Sequence, residues 1–424
     1  MQDQGFKLVV FLAVAVGLAG CVDTPARSSS NVDGIVFNDT GPEAMRYGGI
    51  AGGFARAGRS NWFQPGYSVD AFSRLDEIFP AAVVKRGATA SAWQRMVGEP
   101  ALSYGAPAAA GGGRFTLEQF LQRNPTTGLL ITRDDIILVE RYQYARNDRH
   151  RLISFSMAKT ITAMLIGLAV ADGAIASIED PAERYVPELA GSEYGRTPIR
   201  HLLTMSSGVA FREDYDGTDD SARLSRATLG QQSAGGARAV LEFNQRIAPP
   251  GARWYYASAE TQVLGIVLRA AIKRPIVDYL AERIWQPMGA ESDASWLVDR
   301  SGQEITYSSF NAVLRDYARL GMLLARDGRI GDRQLIPAPW LRDATHAHFT
   351  GAQTGRGFGY GFQTWIFPEN DGSFALLGVR GQAILVDPAR KLVMVHTAVR
   401  PNARDPGGAE TIALWRAVKR ELGR

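Results

Sequence analysis

A serine and a lysine three residues apart, Ser156 and Lys159, stand at the head of the long apolar segment Met157 to Ala171. On a helix, positions i and i+3 lie one above the other, so the ammonium reaches the hydroxyl. The helix start also offers free backbone N–H groups and the positive dipole end, which favour a developing oxyanion beside Ser156. Only six of the 47 basic residues are lysines, so one placed inside an apolar helix stands out. Burial lowers a lysine pKa and makes the neutral amine available as a base near neutral pH. The chemistry this allows is nucleophilic catalysis by an activated serine. An N-cap serine with a snorkelling lysine would give the same four letters, so the pair needs partners elsewhere in the chain.

Two further stretches supply candidates. Tyr256-Ala257-Ser258 lies between the turn Pro249-Pro250-Gly251 and a helix expected from Glu260. A phenol near Lys159 would serve as shared acid and base, passing the serine proton on to a leaving group. A core tyrosine followed by an N-cap serine fits the triplet as well. Gly378-Val379-Arg380-Gly381-Gln382 falls between two strand-like runs. A glycine on an edge strand lets substrate approach the backbone, and the next N–H would complete an oxyanion hole. A plain hairpin turn is the competing account.

These residues need elements to hold them. Gly128–Arg133 and Ile136–Tyr142 read as a hairpin about Asp134-Asp135. The Met157–Ala171 segment is apolar nearly all round, the mark of a buried helix, and stops at Asp172-Gly173. Helical periodicity then dominates over Glu260–Ile272, Ile276–Ile284 and Leu314–Arg326. Strand-like runs return at Gly359–Ile366, Phe374–Gly378, Gln382–Val386 and Leu392–Val399. A last amphipathic helix carries Leu414, Trp415, Val418 and Leu422. Strands at both ends with helices between predict an α+β class: one antiparallel sheet built from both ends of the domain, helices on both faces, and a mostly helical lobe.

Composition removes several other chemistries. The 47 basic residues are interleaved with 43 acidic ones to a net charge of +4, without the basic run that nucleic acid would require. One cysteine rules out a disulfide framework and a Cys-rich zinc site. The five histidines show no HExxH, and no phosphate-binding loop is present, so no metal or cofactor is expected. Gly48-Gly49-Ile50-Ala51-Gly52-Gly53 follows no strand and has the wrong glycine spacing for a dinucleotide fingerprint.

The cysteine sits where a targeting signal would place it. Lys7, the apolar run Leu8 to Leu18, then Ala19-Gly20-Cys21 read as a secretory signal, and Leu18-Ala19-Gly20-Cys21 resembles the lipobox of bacterial lipoproteins. That resemblance implies lipidation at Cys21 and a place on the periplasmic face of the bacterial cell envelope. The expected organisation is a signal over 1–21, a flexible tether over 22–45, a Gly/Ala-rich irregular extension over 46–114, and the regular domain over 115–424.

Taken together and in this order, the serine–lysine pair, Tyr256-Ala257-Ser258 and Gly378 to Gln382 resemble the serine β-lactamase/penicillin-binding superfamily. The nearest likeness is its class C-like branch, which holds carboxylesterases and 6-aminohexanoate-dimer hydrolases. His201-Leu202-Leu203-Thr204-Met205-Ser206-Ser207-Gly208, Glu213-Asp214-Tyr215, Val263 to Val267 and Val386-Asp387-Pro388 add to it. The resemblance implies an acyl-enzyme on Ser156, activation by Lys159, and a proton relay at Tyr256. It further implies an oxyanion hole from the Ser156 and Gln382 N–H groups, with Tyr215 touching substrate from a loop. Ser258, Arg380 and Gly381 fall at places that face substrate.

Two departures shape the expected substrate. The superfamily's third motif usually carries Lys or His, with Thr or Ser, before the glycine to grip a carboxylate; Val379 and Arg380 stand there instead. Ser258 replaces the asparagine that β-lactamases favour. Both point to a hydrolase of a small ester or amide (a carboxylesterase or 6-aminohexanoate-oligomer-type amidase) in place of a D-alanyl-D-alanine peptidase or β-lactamase, and the signal ending at Cys21 makes it an exported, lipid-anchored one. A His-dependent hydrolase with His396 lacks the G-x-S-x-G elbow. A non-catalytic penicillin-binding-like sensor would not need all three catalytic side chains.

Overall fold

Thr126–Arg133 and Ile136–Tyr142 form the expected antiparallel hairpin, with Asp134 in the left-handed region at φ 49°. The other edge of Thr126–Arg133 is taken by Leu392–Ala398, so the two ends of the domain meet at the centre of one sheet. The computed structural model describes residues 29–230, 235–405 and 407–423. Its main sheet runs in the order Ser29–Val32, Ile35–Asn38, Ile136–Tyr142, Thr126–Arg133, Leu392–Ala398, Gln382–Asp387, Phe374–Gly378, Trp365–Ile366, Gly359–Tyr360. The short strand Gln94–Arg95 makes the tenth, pairing with Ile136–Ile137. Pairing is antiparallel except where Ile136–Tyr142 meets Ile35–Asn38 and Gln94–Arg95.

The period-2 alternation of these strands divides the core in two. Leu130, Ile384, Val386, Val393 and Val395 face the layer holding Ile161, Leu165, Leu314 and Leu320, from the Met157–Ala171 and Leu314–Ala325 helices. Leu129, Ile131, Leu385, Leu392 and Met394 face the opposite layer with Phe120, Leu414, Trp415 and Val418, from Leu117–Arg123 and Gly407–Leu422. Gly321 shows how closely the first layer packs: a Cβ there would lie 2.7 Å from a Val393 methyl. Ser258–Ile272 packs across Met157–Ala171 and leads into the helical lobe that contains Ile199–Leu203 and Asp220–Leu229.

Several segments differ from expectation. Residues 29–38 form a strand hairpin on the sheet edge where a tether was expected, and Tyr144 anchors the following turn by donating to Pro42 O at 2.7 Å. The 46–114 stretch places Val69, Ala71, Phe72, Leu75, Phe79 and Val84 in the main core. Its strand Ala81–Val84 closes a second antiparallel sheet with Ala294–Leu297, Phe310–Ala312 and Leu152–Ile153. Gly359–Ile366 is two short strands, because the chain reverses at Gly361–Thr364 with Gln363 at φ 53°. The Ile276 helix passes into a π-helical turn over Ala281–Trp285. Cys21 and the residues before it lie outside the described residues, among which no helix is long and apolar enough to cross a membrane.

Candidate active site

The second sheet delivers the chain to the nucleophile. Ile153 N donates to Phe72 O at 2.9 Å and Ser154 N to Phe310 O at 2.7 Å, so the two residues ahead of the turn are fixed from both sides. Phe155 then adopts φ 42°, a left-handed conformation that costs a bulky residue about 1–3 kcal/mol. Its ring packs edge-on against Phe72, with centres 5.0 Å apart, which holds it there. The reversal leaves Ser156 part-exposed at the helix start while Lys159, one turn on, is 1% exposed.

Lys159 uses all three ammonium hydrogens. Nζ donates to Ser156 Oγ at 3.3 Å, to Ser258 Oγ at 3.0 Å and to Tyr307 O at 2.7 Å. Burial pushes its pKa down to about 8, with the charge of Glu213 acting in the other direction. Its Nζ also lies 5.2 Å from the Tyr256 ring centre. That ring sits in an aromatic box with Trp254, Tyr360 and Trp365, stacked on Trp365 at 5.6 Å. Burial pushes the Tyr256 phenol well above its ordinary pKa, while contact with the Ser156 hydroxyl pulls it back. Two distant pieces of chain thus bring a hydroxyl, a poorly hydrated amine and a phenol together, the arrangement nucleophilic catalysis requires.

Ser258 is the first residue of its helix, which Ala257 caps. Its Oγ accepts from Lys159 and donates to Glu213 Oε1 at 2.7 Å, and its N–H donates to Glu213 Oε2 at 2.7 Å. Glu213, 3% exposed, stood in a stretch of the resemblance with no role assigned to it. It stands between exposed Arg212 and Asp214 in a polar stretch, so no apolar period marks it as buried. Tyr215 is half-buried at φ 63°, donating its OH to Glu213 Oε1 at 2.8 Å. Arg404 caps this group, with its guanidinium 5.5 Å from the Tyr215 ring and Nη2 donating to Glu213 O at 2.8 Å.

The Gly378–Gln382 turn divides its residues differently from expectation. Gly378 is the glycine set against the nucleophile's turn: a Cβ there would lie 2.4 Å from Ser154 O. Gly381, at φ 95°, is a turn glycine packed on Ala398 and Arg400. Gln382 pairs across from Gly378, and its buried side chain fastens the turn, with Nε2 donating to Arg380 O at 3.1 Å and Ala398 O at 2.8 Å. Arg380, expected at the substrate, is 7% exposed and turned into the protein. It donates to Arg400 O at 3.1 Å and Pro401 O at 2.7 Å, with its guanidinium 4.1 Å from the Phe63 ring centre. The residues before Gly378 are Leu376 and Leu377, so the strand brings no cation to the nucleophile. His396 is fully buried between Thr126 Oγ1 and Gly381 O, and burial lowers its pKa to about 3.

Comparison with known proteins gives the same lineage. The β-lactamase family model matches residues 114–417. A 6-aminohexanoate-dimer hydrolase of Paenarthrobacter ureafaciens is 27% identical over 86% of this chain and 93% of its own. A Bacillus anthracis structure provisionally named as a 6-aminohexanoate-dimer hydrolase superposes with a TM-score of 0.78 at 22% identity, covering 87% of this chain and 99% of that one. A penicillin-binding protein homologue from Caulobacter crescentus has a TM-score of 0.56 at 17% identity, over 73% of this chain and 96% of its own. The chain therefore belongs to the β-lactamase family and is an α+β serine hydrolase.

Proposed function

We propose that the protein cleaves a small ester or amide bond through an acyl-Ser156 intermediate, in the manner of a carboxylesterase or an aminohexanoate-oligomer amidase. The observation that carries this is the buried Lys159 ammonium held between Ser156 Oγ and Ser258 Oγ. In its neutral form Lys159 removes the Ser156 proton as Oγ attacks the carbonyl carbon. The oxyanion is held by the Ser156 N–H and a second N–H from the Gly378–Gln382 turn: Gly378 lies against the Ser156 turn and the next residue, Val379, is part-exposed, so its N–H takes the place expected of the buried Gln382. The Tyr256 phenol returns the proton to the leaving oxygen or nitrogen, and water then attacks the acyl group by the reverse route.

Leu376, Leu377 and the inward Arg380 leave the strand without a grip for a β-lactam carboxylate, which favours the ester or amide reading. The name of the Paenarthrobacter relative favours an amide among these. Intact protein mass spectrometry after exposure to a fluorophosphonate should show one adduct on Ser156, absent in Ser156→Ala; an adduct that persists there would place the nucleophile elsewhere. We also propose export and a lipid anchor at Cys21. Cys21→Ala should release the protein from membranes into the soluble fraction, and continued membrane association would remove the anchor from the reading.

A further inference from the structure

Glu213 is a buried carboxylate that the scheme above does not use. Its position is specific. Oε1 accepts from Ser258 Oγ at 2.7 Å and Tyr215 OH at 2.8 Å, and Oε2 accepts from Ser258 N at 2.7 Å. Ser258 Oγ in turn accepts from Lys159 Nζ at 3.0 Å. An ammonium, a hydroxyl and a carboxylate are thus strung donor to acceptor with no gap, inside a site where charge separation is strongly felt.

We propose that Glu213 is a positioning residue that sets the protonation of Lys159 through Ser258. A proton leaves Lys159 Nζ for Ser258 Oγ while the Ser258 hydroxyl proton passes to Glu213 Oε1. The products are a neutral amine, an intact Ser258 hydroxyl and a carboxylic acid, so charge and protons balance without any group from solvent. The amine is then free to take the Ser156 proton, and the chain runs backward once the leaving group has been protonated. The assignment rests on the acyl-Ser156 reading.

The surroundings isolate this chain. Lys159 faces the Glu213 charge and the phenols of Tyr256 and Tyr307. Glu213 faces Lys159, the Tyr215 phenol and the Arg404 guanidinium at its backbone, and its charge is felt by the phenols of Tyr194, Tyr256, Tyr307 and Tyr360. Burial pushes all four phenols well up, so they stay neutral near neutral pH. Arg356 and Arg404 reach the Tyr256 phenol from the rim and lower its pKa. The Glu213 charge raises the Lys159 pKa against burial, so below that pKa the amine becomes neutral by passing its proton through Ser258 to Glu213.

The test is the pH profile of kcat/KM for p-nitrophenyl butyrate in the full chain, Glu213→Gln, Ser258→Ala and the double variant, with Ser156→Ala alongside. Glu213→Gln should lower kcat/KM below the Lys159 pKa by about a hundredfold and move the acid limb up toward that pKa by about one pH unit. The double variant should lose no more plateau than Ser258→Ala alone, because one path is broken in both. An acid limb that stays in place or moves down in a folded Glu213→Gln, or losses that multiply in the double variant, would overturn the relay. If Glu213→Gln fails to fold by thermal melt, Glu213→Asp decides. It should keep the parent limb with a plateau about tenfold lower, and a parent-like plateau would overturn the relay. A Ser156→Ala variant as active as the parent would sink the acyl-serine reading itself; an inactive one with an unchanged Glu213→Gln profile would sink only the relay.

Discussion

The turn before Ser156 and the turn after Gly378 are built alike and used differently. Each holds a non-glycine residue in the left-handed region, Phe155 at φ 42° and Arg380 at φ 61°. Each carries a buried cation within a few residues. Lys159 faces its own turn's serine and is lowered to about pKa 8, where loss of the proton is accessible. Arg380 is lowered to about 10 by the same cause, but it faces away, onto Phe63 and the carbonyls of Arg400 and Pro401. A guanidinium gives up its proton far less readily than an ammonium. One turn sets its cation against a serine hydroxyl and the other packs it away.

Substitutions can break this contrast. Lys159→Ala should lower kcat/KM for p-nitrophenyl esters by about 10³-fold or more, as the serine and its base act as a unit. Activity within tenfold of the parent would mean that another base serves Ser156. Tyr256→Phe keeps the aromatic box and removes only the phenol, so a loss of about 10²-fold is expected, greater for an amide than for a nitrophenyl ester because the amine leaving group needs the proton more. Equal losses on both would take the acid role from Tyr256. Arg380→Gln should give the smallest catalytic effect, within about threefold, yet lower stability by about 2 kcal/mol in denaturant unfolding. A rise in KM restricted to anionic substrates would instead bring Arg380 back to the site.

The sequence made the Ser156 turn legible for a physical reason: an i, i+3 pair on a helix apolar all round can point only inward, so burial and proximity came from one pattern. The central sheet was legible for the same kind of reason, since Leu129 to Ile131 and Leu392 to Val395 are long, β-rich and bounded by turn residues. The Gly378–Gln382 turn was harder. Two glycines three residues apart offer two registers, and only the close approach of Gly378 to Ser154 O selects one. Glu213 stood within a stretch that carries the resemblance, yet nothing marked it as buried, because a carboxylate buried by distant chain looks solvated in its own neighbourhood. Residues 46–114 misled through composition: many glycines and alanines hide Val69, Phe72, Leu75 and Phe79, which are apolar at near-helical spacing but divided between two four-residue helices.

Phe72 gives this last point a practical edge. It receives the Ile153 N–H and braces the Phe155 ring, so it forms the floor beneath the nucleophile's turn. A chain trimmed to begin at 114, where the family match starts, would keep Ser156, Lys159 and Tyr256 yet lose that support. Phe155 would then be free to relax to an ordinary φ, swinging the hydroxyl off its aim. The support of the Ser156 turn thus reaches beyond the stretch that family comparison outlines.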